Sequence, residues 1–206
     1  MSENTALIAR SLVDSRALKF GNFKLKSGVT SPYYIDLTWL LSSPEDFRRV
    51  VSAVAHYLEN LKSSITVEKL ASIELKGALL LPSIASQANM PCIILRKEMK
   101  GYGLTGRIAG GEVKKGERFI LFDDVITDGE SKLEAIRAIE DAGGRVEAVL
   151  VVVDREQGGK KRLEELGYKV YSITTISEIA ENLILLGAIS PEKAEEIREY
   201  VKNQSN

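Results

Sequence analysis

The chain is poor in the residues that carry disulfide, zinc and histidine chemistry. Its 206 residues include one cysteine, Cys92, and one histidine, His56. A lone cysteine excludes an internal disulfide and a cysteine-rich zinc site, and the apolar neighbours of Cys92 predict a buried strand position. His56 lies in a predicted helix with no second ligand-type residue nearby. We therefore expect a surface or half-buried side chain there, not a metal ligand or an acid-base group.

An excess of charge of one sign and long apolar runs are also absent. The formal net charge is -1, from 28 basic and 29 acidic residues. Such a balance gives the chain no overall attraction to nucleic acid or to an anionic membrane. No apolar run nears membrane-spanning length, and the first residues lack the basic and apolar regions of a signal peptide. These features predict a cytoplasmic protein with neither nucleic acid nor membrane as a partner.

The composition is that of an ordinary globular chain, with 44% hydrophobic and 28% charged residues. This length is enough for one sizeable core. We expect a single domain, 1–206, with an N-terminal hood over about residues 1–40, a core over about 41–187 and a C-terminal helix over about 191–203.

From residue 69 onwards, apolar strands alternate with amphipathic helices. The predicted strands are 69–73, 92–96, 118–122, 146–153 and 168–173, and the predicted helices are 77–88, 130–142, 158–166, 175–187 and 191–203. This alternation favours an α/β fold with a parallel sheet covered on both faces. Two helices, 3–18 and 44–62, precede it. Short alternating runs between residues 20 and 37 predict an antiparallel hairpin, which we interpret as the hood.

The segment Arg118–Ser131 carries the strongest chemical signal. The apolar run Phe119–Phe122 has the length of a buried strand, and it is predicted to stop at two carboxylates, Asp123 and Asp124. Ligands of open α/β sheets bind at the carboxyl ends of strands, and a helix N-terminus presents N–H groups to anions. The segment predicts a sugar-phosphate site, although solvated loop acids give the same pattern. The turn and cap residues that would hold the phosphate are Thr127, Asp128, Gly129, Glu130 and Ser131.

A long basic and glycine-rich stretch lies between two predicted strands. Residues 96–116 contain six basic residues and six glycines. A loop of this length in a compact domain is usually a lid, a binding loop or a disordered segment, and a solvated charged hairpin is equally consistent with it. Gly101, Gly103 and Gly106 match the dinucleotide-binding spacing. Because Arg107–Gly116 lacks helical periodicity, we interpret that match as accidental.

Several stretches together resemble the orotate phosphoribosyltransferases, which are type I phosphoribosyltransferases. Phe119–Ser131 resembles the motif that binds phosphoribosyl pyrophosphate (PRPP), and Arg-Lys-Glu-x-Lys-x-x-Gly at 96–103 is similar to the flexible catalytic loop. Asp154–Gly159 resembles the orotate-side segment. Lys26-Ser27-Gly28 with Ser31–Tyr34 looks like the N-terminal orotate-binding element. An adenine or xanthine-type phosphoribosyltransferase shares the two aspartates but needs neither of the last two stretches.

The resemblance implies a type I phosphoribosyltransferase fold, with a parallel Rossmann-like sheet flanked by helices, an N-terminal hood and a flexible loop. It also implies a homodimer whose catalytic loop reaches into the neighbouring subunit's site. The implied reaction transfers ribose 5-phosphate from PRPP to N1 of orotate, giving orotidine 5'-monophosphate and pyrophosphate in de novo pyrimidine biosynthesis. Mg²⁺ would be carried by PRPP.

The resemblance further implies roles for individual residues. Asp123 and Asp124 would face the ribose hydroxyls and the waters of the metal, and would stabilise positive charge on the sugar ring. Closure of the loop would exclude water. Cations of that loop would neutralise the departing pyrophosphate: Arg96, Lys97 and Lys100. The orotate contacts would come from Lys26, Arg155, Tyr33 and Tyr34, and the 5'-phosphate contacts from residues 127–131.

The chain departs from the family pattern at three places. Thr127–Glu130 replaces the usual Thr-Thr-Gly-Gly, Ala71–Gly77 replaces Gly-x-x-x-Gly-Gly, and Tyr102 replaces a histidine. The first departure puts two acids beside the phosphate. Two like unit charges about 4 Å apart repel by about 1 kcal/mol in water and by about 4 kcal/mol at an effective dielectric of 20. Ser72 and Lys76, if their backbone needs positive φ, each cost about 1–2 kcal/mol, while Lys76 adds a cation to the site.

Two interpretations follow from these departures. One is a working orotate phosphoribosyltransferase with an adjusted phosphate site. The other is a catalytically weak or inactive paralogue that binds orotate or a pyrimidine nucleotide as a sensor or partner subunit. The sequence also leaves open whether Lys132 neutralises Asp128 one helical turn away.

Overall fold

The structure, a computed structural model, describes residues 3–24, 28–97 and 107–204. Its helices are α1 Glu3–Asp14, α2 Pro44–Lys62, α3 Lys76–Gln87, α4 Glu130–Asp141, α5 Gly159–Glu165, α6 Ile176–Leu185 and α7 Pro191–Gln204, with a 3-10 helix at Leu37–Ser42. Its strands are β1 Leu18–Lys24, β2 Thr30–Ile35, β3 Lys69–Ile73, β4 Cys92–Leu95, β5 Ile108–Ala109, β6 Arg118–Ile126, β7 Arg145–Asp154 and β8 Val170–Thr175.

Six strands form one sheet in the order β5-β4-β3-β6-β7-β8. The pairs β3/β4, β3/β6, β6/β7 and β7/β8 are parallel, and only the short edge strand β5 runs antiparallel to its neighbour. Because parallel strands end at the same edge of a sheet, the turns after β3, β4, β6 and β7 gather there. These turns and the first residues of the helices that follow them contain nine of the residues that the sequence marks for function: Lys76, Arg96, Lys97, Arg155 and residues 127–131.

Alternate residues of β6 point into different apolar cores. Ile120 and Phe122 pack with residues of α1, α2, α3, α6 and α7 on one face of the sheet. Phe119 and Leu121 pack with residues of α4 and α5 on the other face. This period of two follows from strand geometry, and the cover on both faces explains why the strands read as continuous apolar runs. The predicted α/β fold with a helix-covered parallel sheet is confirmed.

The predicted hood hairpin is present as a two-stranded antiparallel sheet of β1 and β2. Phe20 pairs with Tyr33, and the register shifts between Phe20 and Phe23. The C-terminal helix α7 reaches the hairpin, because the ring of Tyr200 meets the ring of Tyr33 edge-on at 5.8 Å. The hood therefore packs against α7, and this contact holds Tyr33 on the inner face of β2.

Some predicted boundaries were wrong. Strand β6 does not stop at Phe122 but continues to Ile126, because its pairing with β7 extends through Asp123 and Val125. Helix α1 ends at Asp14 instead of residue 18, since Leu18 already pairs with Ile35 in the hairpin. The apolar pattern at these places is shared between two kinds of element, so periodicity alone does not separate them.

Cys92 and His56, the single cysteine and the single histidine, differ in exposure. Cys92 starts β4 but is half-buried instead of fully buried, and this partial burial raises the pKa of its thiol. His56 is exposed on α2, as predicted, with its Nε2 atom 3.4 Å from Nδ2 of Asn60. In the described parts of the chain, no helix has the length and apolar character needed to cross a bilayer.

Only part of the glycine-rich stretch is described. Residues 98–106, with Lys100 and Tyr102, lie outside the described residues, as does Lys26 of the hood. Residues 107–116 contain the two-residue strand β5 and turns, in agreement with the prediction that no helix follows the glycine pattern. At the base of this stretch the Arg96 amide donates to the Arg107 carbonyl at 2.8 Å, and the Arg107 Nε donates to the Arg96 carbonyl at 3.1 Å.

Candidate active site

The acid pair lies inside the carboxyl-terminal half of β6. Asp123 and Asp124 are 6% and 5% exposed, and the amide of Asp124 donates to Oδ1 of Asp123 at 2.9 Å. Burial of two neighbouring carboxylates is costly unless a cation or hydrogen bonds compensate them. Here the ammonium group of Lys132, in the first turn of α4, lies 2.5 Å from Oδ2 of Asp123.

The acid pair forms one wall of a cavity of about 280 Å³ at the carboxyl edge of the sheet. The cavity lies between the N-termini of α3 and α4, and its polar wall residues are Glu74, Lys76, Lys97, Asp123, Asp124, Ser131 and Lys132. A larger groove of about 590 Å³ lies between α2 and α3 around Phe47 and Pro82, but it has no carboxylate pair. The smaller cavity combines acids, cations and helix N-termini, so we assign the chemistry to it.

The ionisation of Asp124 depends on its burial and on the charges of its neighbours. Burial, together with the negative charge of Asp123, raises the pKa of Asp124 to about 7, while the Lys132 cation opposes this shift. The ammonium group of Lys132, paired with Asp123, offsets part of the negative charge of the acid pair and so limits the repulsion of an anionic ligand.

The predicted phosphate turn lies at the N-terminus of α4, and its two acids are held by the protein itself. Gly129 is the N-cap residue with φ +79°, a conformation that glycine adopts without strain. Oδ1 of Asp128 accepts the amide of Glu130 at 3.0 Å, and Glu130 forms an ion pair with Arg162 of α5 at 2.7 Å. Nη1 of Arg162 also donates to the carbonyl of Asp128 at 3.3 Å.

The N-terminus of α5 packs directly on this turn. The Gly159 amide donates to the Thr127 carbonyl at 2.9 Å. A Cβ atom on Gly159 would lie 2.5 Å from the oxygen of Thr127 and 2.7 Å from the nitrogen of Gly129. Only glycine permits this approach. The segment Asp154–Gly159, which follows β7, is thereby fixed against the phosphate turn.

The turn before α3 forms the opposite wall of the cavity. Among the described residues other than glycine, positive φ occurs at Arg16, Asn89 and Glu156. Residues 71–76 are not among these, so the backbone strain considered for Ser72 and Lys76 does not arise. Lys76 instead forms an ion pair with Asp36 at the end of the hood, at 3.1 Å.

Gly77 and Glu74 fix the geometry of the same turn. A Cβ atom on Gly77 would lie 2.4 Å from Oδ1 and 2.8 Å from Cα of Asp123. The first turn of α3 therefore touches β6 at the acid pair. Oε2 of Glu74 accepts the amide of Lys97 at 3.2 Å, which connects this turn to the end of β4.

The orotate-side residues are distributed over two faces of the hood. Tyr33 is fully buried, and its hydroxyl accepts from Nε of Arg155 at 3.3 Å. The Arg155 guanidinium carbon lies 5.1 Å from the centre of the same ring. Burial raises the pKa of Tyr33, so its hydroxyl stays protonated. Tyr34 points the other way, is 40% exposed and packs on Phe23 with ring centres 5.6 Å apart.

The described residues bring most of the predicted site to one edge of the sheet. Asp123, Asp124, Lys97, Lys76 and Ser131 meet in the cavity, while Arg155 and Tyr33 meet beside the turn after β7. Tyr34 does not contact Arg155 in the structure. Lys26 and Lys100 lie outside the described residues.

Sequence reasoning did not predict the contacts that three residues make at this edge of the sheet: Lys132, Arg162 and Gly77. The sequence does contain a signal for Lys132, since a lysine in the first turn of a helix opposes the helix dipole and requires a compensating acid. The spacing suggested Asp128 as that acid, but the structure pairs Lys132 with Asp123. Nothing in the spacing of Arg162 or Gly77 marks their contacts, which are made across the fold.

Comparison with known proteins identifies the family. The model of the phosphoribosyl transferase domain matches residues 43–183. Orotate phosphoribosyltransferase of Sulfurisphaera tokodaii is 39% identical over 195 residues, which cover 94% of this chain and 97% of that protein. The chain belongs to the orotate phosphoribosyltransferase family. Its relative from Pyrococcus furiosus, also an orotate phosphoribosyltransferase, is 36% identical over 174 residues, covering 84% of this chain and 94% of the relative.

Solved structures of the orotate phosphoribosyltransferase family and of UMP synthase share this fold. UMP synthase of Leishmania donovani matches with a TM-score of 0.85 and 32% identity, over 97% of this chain and 42% of that longer chain. Orotate phosphoribosyltransferase of Aeropyrum pernix matches with a TM-score of 0.74 and 27% identity, over 89% of this chain and 99% of that one. The expected type I phosphoribosyltransferase fold is thus confirmed.

Proposed function

We propose that this chain is an orotate phosphoribosyltransferase that transfers ribose 5-phosphate from PRPP to N1 of orotate, forming orotidine 5'-monophosphate and releasing pyrophosphate. The observation that carries the proposal is the cavity at the carboxyl edge of the sheet, where the acid pair of β6 lies between two helix N-termini. Relatives that are 33–39% identical over most of the chain are orotate phosphoribosyltransferases, the enzymes of de novo pyrimidine synthesis.

The 5'-phosphate of PRPP binds at the turn 127–131. The N-terminus of α4 offers backbone N–H groups there, and the dipole of the helix favours an anion. The support comes from Thr127 and Ser131, which are half-buried at the turn, and from the bonds that occupy the carboxylates of Asp128 and Glu130. Because these acids have partners within the chain, their repulsion of the phosphate is smaller than free acids would exert.

Asp123 and Asp124 act on the ribose. As the bond to pyrophosphate breaks, positive charge grows on the sugar ring, and carboxylates in a site shielded from water stabilise it. The burial of both acids and their place on a rigid strand support this role, because preorganised charges need no rearrangement during the reaction.

Pyrophosphate leaves on the side of the turn before α3. Lys76 and Lys97 line that wall of the cavity, and Arg96 lies at the base of the catalytic loop. The family resemblance gives Lys100 the same role, the neutralisation of the departing pyrophosphate. These cations offset the charge that the leaving group gains.

Orotate binds beside the turn after β7. Arg155 is positioned by the hydroxyl and ring of Tyr33, so its guanidinium is available for the carboxylate or the carbonyl groups of orotate. The family resemblance suggests Lys26 as a second cation for orotate. Tyr33 is buried beneath Arg155 and supports this site by positioning the guanidinium group, while a contact between Tyr34 and the orotate ring is proposed from the family resemblance alone, since Tyr34 lies on the other face of the hood.

Mg²⁺ enters with PRPP in this proposal. Within the described ranges, no group of three or more His, Cys, Asp or Glu residues stands close enough to hold a metal ion alone. The donor set still fits, since Mg²⁺ is usually bound by one or two carboxylates together with substrate phosphates and waters. Asp123 and Asp124 would hold its waters, and the ion would neutralise phosphate charge. A homodimer with shared sites, a single domain and a cytoplasmic location are carried into the proposal from the sequence.

The alternative of an inactive paralogue rested on three departures: the acids of the phosphate turn, the altered turn before α3 and Tyr102 in the loop. The pairing of Glu130 with Arg162 and the absence of positive φ at residues 71–76 weaken the first two reasons, and Tyr102 lies outside the described residues.

The test is a spectrophotometric assay of orotate consumption with PRPP and Mg²⁺. We expect turnover that requires all three and stops when the metal is chelated, together with release of pyrophosphate. Adenine, hypoxanthine and xanthine serve as control acceptors and should give no product. Folded protein that binds orotate by calorimetry but shows no turnover would refute the proposal, and turnover with a purine base would redirect it to another acceptor.

A further inference from the structure

Lys132 is buried in the wall of the acid cavity, although its place in the helix is unfavourable for a cation. It is the third residue of α4 and only 5% exposed. A positive charge in the first turn opposes the helix dipole, and burial of an ammonium group costs free energy unless it is paired. Residues that oppose local helix preferences, as this lysine does in the first turn of α4, are expected mainly at functional sites.

The contacts of Lys132 compensate both costs. Its Nζ atom lies 2.5 Å from Oδ2 of Asp123, donates to the carbonyl of Val125 at 2.5 Å and reaches Oγ of Ser131 at 3.4 Å. The first two partners belong to β6 at or next to the acid pair, and the third belongs to the phosphate turn. Lys132 thus connects the two parts of the candidate site that would hold the sugar and its phosphate.

Each oxygen of the Asp123 carboxylate has its own partner. Oδ1 of Asp123 accepts the amide of Asp124 at 2.9 Å, and Oδ2 faces Lys132. With both oxygens engaged, the side chain of Asp123 has one orientation. Removal of the ammonium group would free one oxygen and leave an unpaired buried carboxylate facing any polyanionic ligand.

We propose that Lys132 is a positioning residue of the PRPP site, which holds Asp123 in place and supplies the counter-charge that lets a polyanion enter beside two buried acids. This inference rests on the proposed function, because it concerns the same cavity. Lys132 acts through Asp123 and is not assigned a contact with the substrate.

The chain offers a matched control at the opposite end of the sheet. Lys69, the first residue of β3, forms an ion pair with Glu117 at 2.8 Å, and the two side chains are 13% and 11% exposed. This pair is nearly as shielded as the pair of Lys132 and Asp123, and it lies outside the cavity wall. A purely structural role predicts the same consequences for the loss of either lysine.

The experiment compares Lys132→Met and Lys69→Met by calorimetric binding of PRPP with Mg²⁺, by steady-state kinetics and by thermal unfolding. Lys132→Met should weaken PRPP binding by about tenfold or more and raise the KM for PRPP in parallel, as loss of a supporting partner typically does. The KM for orotate at saturating PRPP should stay within about twofold. Lys69→Met should lower the Tm comparably and leave both KM values within about twofold.

A second comparison shows whether Lys132 acts through Asp123, and it stands even if Lys132→Met alone fails to fold. In the Asp123→Asn background, Lys132→Met should weaken PRPP binding by no more than about threefold, because only the charge of Lys132 is lost there and no buried carboxylate is left unpaired. A larger loss in that background would show a direct contact with the substrate and overturn the positioning role.

The remaining outcomes are also decisive. A PRPP affinity within twofold of wild type in Lys132→Met overturns the inference, and so does a loss of kcat alone, which reports a smaller folded fraction. If the wild-type protein binds PRPP without turnover, the proposed function fails while Lys132 is still judged by PRPP affinity. If it does not bind PRPP, both are overturned.

Discussion

Replacement of Gly77 by alanine tests whether the contact between α3 and β6 sets the geometry of the acid pair. The added Cβ atom would lie 2.4 Å from Oδ1 of Asp123, 2.6 Å from Oγ of Ser72 and 2.8 Å from the Asp123 Cα atom. Ordinary contact begins near 3.4 Å, so the helix and the strand must separate by about 1 Å. Part of this clash is with backbone, which has no alternative rotamer.

The expected effect of Gly77→Ala is much larger on activity than on stability. Overpacking typically costs about 1–3 kcal/mol, and the intrinsic helix preference of alanine offsets about 0.5–1 kcal/mol of it. The net cost is at most about 2.5 kcal/mol, so in a chain of this size the Tm should fall by no more than about 10 °C. A displacement of about 1 Å at a catalytic group can reduce the rate about a hundredfold. We therefore expect kcat/KM for PRPP to fall by about tenfold to a hundredfold in protein that remains folded.

Gly144→Ala is the matched control. Its Cβ atom would lie 2.8 Å from Cγ2 of Ile139, 2.9 Å from Cγ1 of Val113 and 3.0 Å from Cε2 of Phe119, all apolar side-chain atoms away from the acids. It should lower the Tm by a similar amount and leave kcat/KM within about twofold. If Gly77→Ala retains wild-type kinetics, or if both variants lose activity equally, the close approach of α3 does not position Asp123 and the reasoning is refuted.

Three further predictions concern the phosphate turn and the orotate side. Asp128→Asn keeps the oxygen that caps Glu130 but removes a charge, so PRPP should bind up to about fivefold more tightly in calorimetry; unchanged affinity would show that this carboxylate points away from the phosphate. Arg162→Gln releases Glu130 and should raise the KM for PRPP severalfold, with Glu130→Gln in the same background restoring it; a loss that persists would mean that Arg162 itself binds substrate. Tyr33→Phe removes the acceptor of Arg155 but keeps the ring packing on Tyr200, so the KM for orotate should rise by about threefold to tenfold with little change in Tm; an unaffected KM would separate Arg155 from orotate binding.

The sequence was sufficient to predict the parallel sheet, the hairpin and most helices, because these depend on apolar periodicity. It placed Asp123 and Asp124 after the end of a strand, whereas both lie inside β6, and α4 begins only at Glu130. It failed where a contact joins distant parts of the chain: Arg162 to Glu130, Gly159 to Thr127 and Lys76 to Asp36. Their residue types are ordinary for exposed helix and loop positions, so no local pattern distinguishes them from solvated charge.

Contacts between distant parts of the chain also explain why the two acids of the phosphate turn suggest, from the sequence alone, a stronger repulsion of phosphate than the fold gives them. Along the chain, Asp128 and Glu130 add two negative charges beside a phosphate site. In the fold, one carboxylate caps the backbone of its own turn, and the other meets a cation from α5, while Lys132 serves the buried acid of β6. Asp123, Asp128 and Glu130 thus each have a partner, drawn from backbone or from a helix on one face of the sheet. It follows that acidic substitutions in such a turn are informative only together with the basic residues of the helix that packs on it, and the paired variants of Glu130 and Arg162 measure that dependence directly.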